Sequence, residues 1–430
     1  MKNLAIITIS FLLVQCEPIV PQQSTLNKKI IFDNYDYEDF VGISKVVPVE
    51  NGQIKEIENQ VVSLNDNDQL HLTFDLLTDQ FENLGAKIYH CNKDWTGSRL
   101  RDMEFLSQIN NYRITDFDYS VNTVQPYINY RFDIPKPIIS GNYIVAVFRR
   151  ANPDDLILTR RFLVVDSKTN ISHTVRVSTT INKREENHQI EFSINYGNIQ
   201  VNAPAQDISP VILQNHNWKT AISNIPPTLM RINEGYLEYR HLDLKTNFYG
   251  WNEYRFADLR TLNVSGRNVG RIVNTGNKII APLRLDATRQ NVPYTLNFQD
   301  INGYFIIQNN DPGESILNAD YADVTFALES EPLNGDVYVM GRYNNWRMND
   351  LNRMKYIDQN GRGRYQTTIP LKQGYYEYLY YVESDQLPPY YFEGSHFQTE
   401  NEYEILVYYR KPGNINDELI GYKKFRSIER

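Results

Sequence analysis

His90 and Cys91 form an adjacent pair whose residue types could do nucleophilic chemistry, because an imidazole can take the proton of a thiol. The pair ends the alternating segment AKIYHC (86–91), which predicts a β-strand. Neighbouring side chains of a strand point to opposite faces of the sheet, so these two groups cannot reach each other. We therefore predict structural roles for both, with Cys91 a small buried apolar residue.

No other chemistry-bearing motif is present. The closest two of the seven histidines, His173 and His188, are 188 − 173 = 15 positions apart, so no HxxxH or HExxH spacing exists. Two cysteines cannot form a cysteine-based zinc site. A G-x-S-x-G elbow, a P-loop and a G-x-G-x-x-G motif are all missing, and nothing singles out a catalytic pair among the 52 acidic residues. The sequence predicts no enzyme, no cofactor and no metal site.

The composition favours a β-rich globular chain. Aromatic residues make up 13% of the 430 residues, and 31 of them are tyrosines, which are frequent in strands. With 41% apolar and 22% charged residues, the chain has enough apolar surface to build packed cores. The formal charge of −8 and the absence of a basic domain argue against nucleic acid as a partner.

The first fifteen residues have the pattern of a secretory signal peptide. Lys2 precedes an apolar run over residues 4–14, which is too short to cross a bilayer as a helix. The run ends in LVQC (13–16), which resembles a bacterial lipobox with Cys16 as the acylated residue, although Gln15 departs from the usual small residue. Simple secretion without a lipid is the alternative interpretation.

Acyl chains on Cys16 would anchor the protein stably, whereas a single chain binds a membrane only marginally. Residues 16–29, rich in Gln, Pro, Ser and Asn, then read as a flexible tether. Nothing later in the sequence predicts a transmembrane helix. We expect membrane contact only through the lipid on Cys16.

Short alternating segments with turn signals between them predict an all-β chain of tandem immunoglobulin-like or early-set β-sandwiches. In the first unit, QLHLTFDL (69–76) alternates, and Ser140-Gly141-Asn142 is a turn before an apolar strand. In the third, Asp311-Pro312-Gly313 is a breaker that marks its start. We predict sandwiches over residues 30–166, 167–310 and 311–430.

The segment YYEYLYYV (375–382) carries aromatic or apolar residues on both of its strand faces. The simpler interpretation is a central strand covered on both sides. The alternative is that one face meets a partner, because Tyr serves protein interfaces well.

The third unit resembles early-set, glycogen-binding β-sandwiches. The resemblance rests on VYVMG (337–341), NNW (344–346) and LKQGYYEY (371–378). It implies that Trp346 stacks on a glucose ring, with Asn345 beside it. Sugar-binding members also use a Lys where this chain has Leu379, and a second Trp near Gln386 and Leu387. With two of three sugar contacts missing, a glycan-binding lipoprotein is an alternative only.

A second resemblance covers nearly the whole mature chain, which is similar to the plug protein of the Bacteroidota type IX secretion system. The segments that carry it are IYHCNKDW (88–95), NYRITDFDYS (111–120), TVQPY (123–127), ISGNY (139–143), LTRRF (158–162), VILQN (211–215), NEYRFADLR (252–260), HFQTENEY (396–403) and VYYR (407–410). So many segments in one order are specific.

This resemblance implies a non-enzymatic protein of the periplasm, associated with the outer membrane, that binds and seals the periplasmic opening of the translocon barrel. A seal of this kind buries at least about 1,000 Å² of surface. The sequence does not identify the residues that contact the barrel. A purely structural assembly lipoprotein of the outer membrane remains a further alternative.

Overall fold

The computed structural model describes residues 28–428, apart from Asn297, Glu314, Asn360 and Gly361. The predicted signal peptide, Cys16 and most of the predicted tether lie outside the described residues. Within them almost all of the regular secondary structure is β-strand, which confirms the all-β fold class. In this part of the chain no helix has the length and apolar character needed to span a membrane.

The first unit contains eleven strands, and it pairs them in two sheets. Sheet 1 has the order β1-β11-β10-β6-β7, with β4 parallel to β11, and sheet 2 has the order β3-β2-β5-β9-β8. The strands are β1 (Tyr35–Asp36), β2 (Val41–Glu50), β3 (Gln53–Ile54), β4 (Val61–Ser63), β5 (Gln69–Leu76), β6 (Leu84–Cys91), β7 (Tyr112–Arg113), β8 (Asp116–Tyr119), β9 (Ile128–Ile134), β10 (Gly141–Arg149) and β11 (Leu156–Val165).

Alternation along the strands builds the core of this first sandwich. In β5 the residues Leu70, Leu72 and Phe74 are buried, while His71 and Thr73 between them are partly exposed. The buried residues pack against Tyr130 and other side chains of sheets 1 and 2. The alternating pattern in the sequence therefore corresponds to one buried face, as expected.

The remaining strands follow in chain order. They are β12 (Asn170–Val177), β13 (Asn187–Asn195), β14 (Ile208–Gln214), β15 (Leu229–Arg231), β16 (Tyr236–Tyr239), β17 (Asn247–Tyr249), β18 (Arg255–Asp258), β19 (Val273–Asn274), β20 (Ile279–Pro282), β21 (Asp286–Ala287), β22 (Phe305–Ile307), β23 (Tyr321–Glu329), β24 (Asp336–Met340), β25 (Lys355–Gln359), β26 (Arg362–Lys372), β27 (Gly374–Glu383), β28 (Glu402–Tyr409) and β29 (Glu418–Arg426). Short helices are α1 (Asp102–Phe105), α2 (Pro204–Asp207) and 3₁₀ turns at Ile181–Lys183, Trp218–Thr220, Ile232–Glu234, Ile316–Asn318 and Arg342–Asn344.

These strands form four more sheets. Sheet 3 has the order β12-β13-β16-β15 with β17 beside β13, and sheet 4 has the order β14-β28-β29. Sheet 5 has the order β18-β27-β22 with β24 also beside β27. Sheet 6 has the order β19-β20-β23-β26-β25 with β21 parallel to β23.

The strand pairing corrects the predicted boundary between residues 310 and 311. β28 and β29, predicted for the third unit, complete the second sandwich, because β14 pairs with β28 over Ile208–Gln214. β18 to β22, predicted for the second unit, belong to the third, whose core joins residues from Ala257 to Phe392. The third sandwich is thus inserted into the second, an arrangement that local sequence patterns do not encode.

Sheet 4 has two buried faces. Ile405 and Val407 of β28 face the core of the second sandwich. Leu406 and Tyr408, one position further along, pack against the outer face of sheet 1 around Ile144. A continuous apolar core therefore joins the first and second sandwiches, and it fixes their relative position.

The tyrosine-rich strand β27 lies in the centre of sheet 5. Tyr376, Tyr378 and Tyr380 fill the core of the third sandwich. On the other face, Leu379 packs in a separate buried cluster with Trp251. The interpretation as a central strand covered on both sides is therefore confirmed.

His90 and Cys91 lie on opposite faces of sheet 1. The His90 ring packs edge-on against Tyr143, 5.0 Å between ring centroids, inside the first sandwich. Cys91 lies in the apolar core between sheets 1 and 4. Burial raises the pKa of the Cys91 thiol to about 12 and lowers the pKa of His90 to about 4. Both groups stay neutral near pH 7, and they do not form a thiol–imidazole pair.

Candidate functional site

All three sandwiches meet around a cleft of about 230 Å³, which we call the junction cleft. The first sandwich lines it with residues between 33 and 60 and with residues 160–161. The second contributes residues 216–219, and the third contributes residues 304–305, 342 and 345–346. A cavity bounded by three domains is a common place for ligands and for interdomain contacts.

Arg342 ties the three sandwiches together at this cleft. Its guanidinium lies 3.5 Å from the centroid of the Tyr304 ring in its own sandwich. It donates to Asn59 Oδ1 of the first sandwich at 2.6 Å and to Glu402 Oε1 of the second at 3.0 Å. Its Nε donates to the carbonyl oxygen of Asn302 at 3.1 Å. One buried side chain thus holds groups from all three units.

The electrostatics of this contact favour an ion pair. Burial acts to raise the pKa of Glu402, but the positive charges of Arg342 and Lys424 outweigh it, and the net pKa is lowered. Glu402 is therefore ionised near pH 7, and Arg342 is its nearest counter-ion. A buried charge that lost its partner would be left without compensation.

A second buried ion pair joins the first and third sandwiches. Lys372 Nζ donates to Asp75 Oδ2 at 2.7 Å, and both side chains have almost no exposed surface. The Tyr321 hydroxyl donates to the same oxygen at 2.7 Å, and Asn129 donates to the other oxygen. Burial lowers the pKa of Lys372, and the charge of Asp75 opposes that effect. This contact is geometrically specific, because both carboxylate oxygens are used.

The backbone around the cleft contains two adjacent pairs in the left-handed region. Asn215 and His216 have φ angles of 51° and 57°, and Asn345 and Trp346 have φ angles of 53° and 56°. Such angles are unfavourable for a bulky residue and least so for Asn. Strained positions of this kind gather at sites where the surrounding structure fixes a particular geometry.

His216 is a buried polar residue of the cleft whose ring is held by a hydrogen bond. Its Nδ1 donates to Glu404 Oε1 at 2.8 Å, and the Tyr422 hydroxyl donates to the other oxygen of Glu404 at 2.9 Å. Because the carboxylate accepts from Nδ1, the free ring nitrogen is Nε2. That nitrogen is buried and has no hydrogen-bond partner among the described residues.

Trp346 and Asn345, the residues of the glycan-binding alternative, both line the junction cleft. Trp346 is only 6% exposed and packs against Tyr254 with ring centroids 6.0 Å apart. Gly303 has φ +77°, and a Cβ there would lie 3.2 Å from the Trp346 ring. A sugar that stacks on tryptophan needs an open ring face, and this ring offers little of one.

The sequence also predicts one lipid attachment residue and no metal site, and it does not indicate the residues that join the sandwiches. Cys16, the candidate lipid attachment residue, lies outside the described residues. Among the described residues, no group of three or more His, Cys, Asp and Glu side chains is placed to hold a metal ion. The anchors Asn59, Arg342 and Glu402 were missed by sequence reasoning. They come from distant segments, and no local motif marks them.

Comparisons with known proteins give two findings. Residues 45–166 match the family model of the type 9 secretion system plug protein first domain. A crystal structure of a hypothetical protein from Parabacteroides merdae ATCC 43184 is similar, with a TM-score of 0.86 and 29% sequence identity. The match covers 93% of this chain and 100% of that one. No curated protein matches the chain.

Proposed function

We propose that this chain, whose residues 45–166 match the family model of the type 9 secretion system plug protein first domain, closes the periplasmic opening of that system's outer-membrane translocon barrel. In this role it works by binding, without catalysis. The observation that carries the proposal is the family match over the first sandwich. The solved structure with 29% identity extends the likeness in fold over all three sandwiches.

The way in which the sandwiches are joined supports this role. A seal has to keep its shape against an opening, and internal motion between its domains would let solutes pass. The apolar core between sheets 1 and 4 and the buried Arg342 and Asp75–Lys372 contacts oppose such motion. Interdomain contacts that are small and polar usually allow movement, whereas large apolar ones do not.

A group of exposed apolar side chains offers a candidate contact surface. Val177, Ile181, Leu242 and Leu244 are between 42% and 80% exposed. Their loops are neighbours at one end of the second sandwich, because the Thr179 hydroxyl donates to the carbonyl oxygen of Leu242. Exposed apolar groups of this kind mark interaction sites on soluble proteins. We assign this loop tip to contact with the barrel.

The test is an affinity pull-down from solubilised outer membranes with a tag after Arg430. We expect recovery of the large translocon barrel, and loss of most of it on the double substitution Ile181→Asp/Leu242→Asp. Met103→Asp, at an 87% exposed apolar residue of the first sandwich, is the matched control and should keep the barrel. Absence of the barrel from the wild-type pull-down would overturn the proposal.

A deletion strain separates the plug from an assembly lipoprotein. Loss of a plug leaves secretion running but makes the outer membrane permeable to large solutes. Loss of an assembly factor stops secretion. We expect continued secretion with increased permeability to antibiotics that the intact outer membrane excludes.

A further inference from the structure

We propose that the junction cleft is a binding site for a carboxylate group, supplied by the side chains of an acidic polypeptide or by a free organic acid. This inference concerns the cleft and does not depend on the plug role. It rests on the charge of the lining, on free hydrogen-bonding groups and on the shape of one short segment.

Cationic side chains outnumber acidic ones in the lining of the cleft, although the whole chain is negative. Five lining residues are cationic and two are acidic, whereas the chain has a formal charge of −8. Four of the cations have carboxylate partners: Lys45 with Glu56, Arg160 with Asp36, Arg161 with Asp33 and Arg342 with Glu402. Lys219 has no ion-pair partner within the described chain, so one ammonium group remains available.

The segment 216–219 presents four consecutive side chains with unused polar groups. His216 is only 9% exposed, yet its Nε2 has no partner. The amide Nδ2 of Asn217, the indole N–H of Trp218 and the ammonium of Lys219 likewise make no hydrogen bond to any described residue. The free groups of Asn217, Trp218 and Lys219 named above are all donors. Such a set suits a ligand that accepts hydrogen bonds.

The segment is held in place before any ligand arrives. The left-handed pair Asn215 and His216 turns the chain at its start, and Glu404 fixes the His216 ring. The Trp218 ring packs edge-on against Trp95, with centroids 5.0 Å apart. A preorganised site loses less conformational entropy when it binds.

Three cations of the cleft have lowered pKa values. Burial lowers the pKa of Lys45 and Arg161, and partial desolvation lowers the pKa of the more exposed Lys219. The acidic neighbours of each only partly oppose the effect. A carboxylate in the cleft would place a negative charge beside Lys219, the lining cation that has no ion pair within the described residues. It would make charge-assisted hydrogen bonds, which are stronger than neutral ones.

Isothermal titration calorimetry on the full-length protein tests the inference, with tryptophan fluorescence as a second readout. The probes are a terminally blocked hexaglutamate peptide, the matching hexaglutamine peptide, succinate and inorganic phosphate. We expect a carboxylate probe to bind and the hexaglutamine peptide not to bind. The substitution Lys219→Gln should weaken that binding by about tenfold, the loss expected for one charge-assisted hydrogen bond.

Lys411→Gln is the matched control, because Lys411 is exposed and does not line the cleft. Binding of hexaglutamate alone identifies a polypeptide as the source of the carboxylate, and binding of succinate alone identifies a free organic acid. Three results would overturn the inference: no carboxylate binding at millimolar concentration, equal binding of phosphate, or equal weakening by the two lysine substitutions. Lys219 is exposed, so its substitution leaves the fold intact.

Discussion

Single polar side chains help to hold this molecule together, and Arg342 bonds to side chains of both other sandwiches. It lies between Asn59 and Glu402, with its guanidinium over Tyr304. Its neighbours Asn59, Tyr304 and Glu402 are buried and carry polar groups. The value of such a contact comes less from the pair itself than from the penalty for leaving the partner unpaired.

The substitution Arg342→Met should therefore destabilise the protein by about 3–5 kcal/mol, because Glu402 would remain buried without its nearest counter-ion. Urea unfolding followed by tryptophan fluorescence measures the change. Arg231→Met, which breaks an exposed ion pair with Glu234, is the matched control. A similar small effect of both substitutions would show that Arg342 does not hold the junction together.

His188 gives a prediction about pH. Burial lowers its pKa to about 4, although its bond to the carbonyl of Phe397 opposes the shift. The unfolded chain takes up this proton near the ordinary pKa of 6.5. The contribution of His188 to the free energy of unfolding is therefore fully present above pH 6.5 and is lost as the pH falls toward 4.

NMR of the histidine ring nitrogens as a function of pH tests this point directly. We expect the His188 ring to stay neutral down to about pH 4 in the folded protein. A ring that takes up its proton near pH 6.5 without unfolding would contradict the buried environment described for it.

At the scale of elements, β29 is the strand that serves two cores. Leu419 packs between sheets 1 and 4, and Ile420 packs inside the second sandwich. The substitution Leu419→Ala should cost about 2–5 kcal/mol, because it opens a cavity in the core that joins two sandwiches. Chemical denaturation measures it, with Ile415→Ala as the control at a half-exposed apolar residue nearby. Equal effects would contradict a shared core.

The pairing of β14 with β28 shows what the sequence does not predict. Alternation in β5 and the two-sided aromatic pattern of β27 predict strands and their buried faces. Strand formation and face burial both depend on residues that are close in the sequence. The pairing of β14 with β28 joins Ile208 to Tyr409, about two hundred positions away. Pairing at that distance depends on which faces fit together in space, and no local pattern reports it.

The candidate site was predictable only in part for the same reason. The NNW motif indicates Trp346 and Asn345 as candidate binding residues, and both line the junction cleft. The motif does not reveal that Tyr254 and Gly303 cover the tryptophan ring. Nor does it reveal the segment 216–219, which follows β14 and carries no recognised motif.

For the whole molecule, the inserted third sandwich and the shared sheet 4 make independent unfolding of the parts unfavourable. Differential scanning calorimetry should give one cooperative transition, because each sandwich buries surface or charges against another. The calorimetric and van't Hoff enthalpies should agree. Two separated transitions would show that the sandwiches behave as independent domains, which would weaken the case for a rigid seal.

The central claim is that this chain closes a translocon barrel, and single-channel conductance tests it most directly. Barrels purified from a strain that lacks the chain are placed in planar bilayers, and the purified chain is added to one side. We predict that the large open-channel currents fall to near the baseline only when the chain is added to the periplasmic side of the barrel. Currents that stay unchanged at saturating protein would contradict the account.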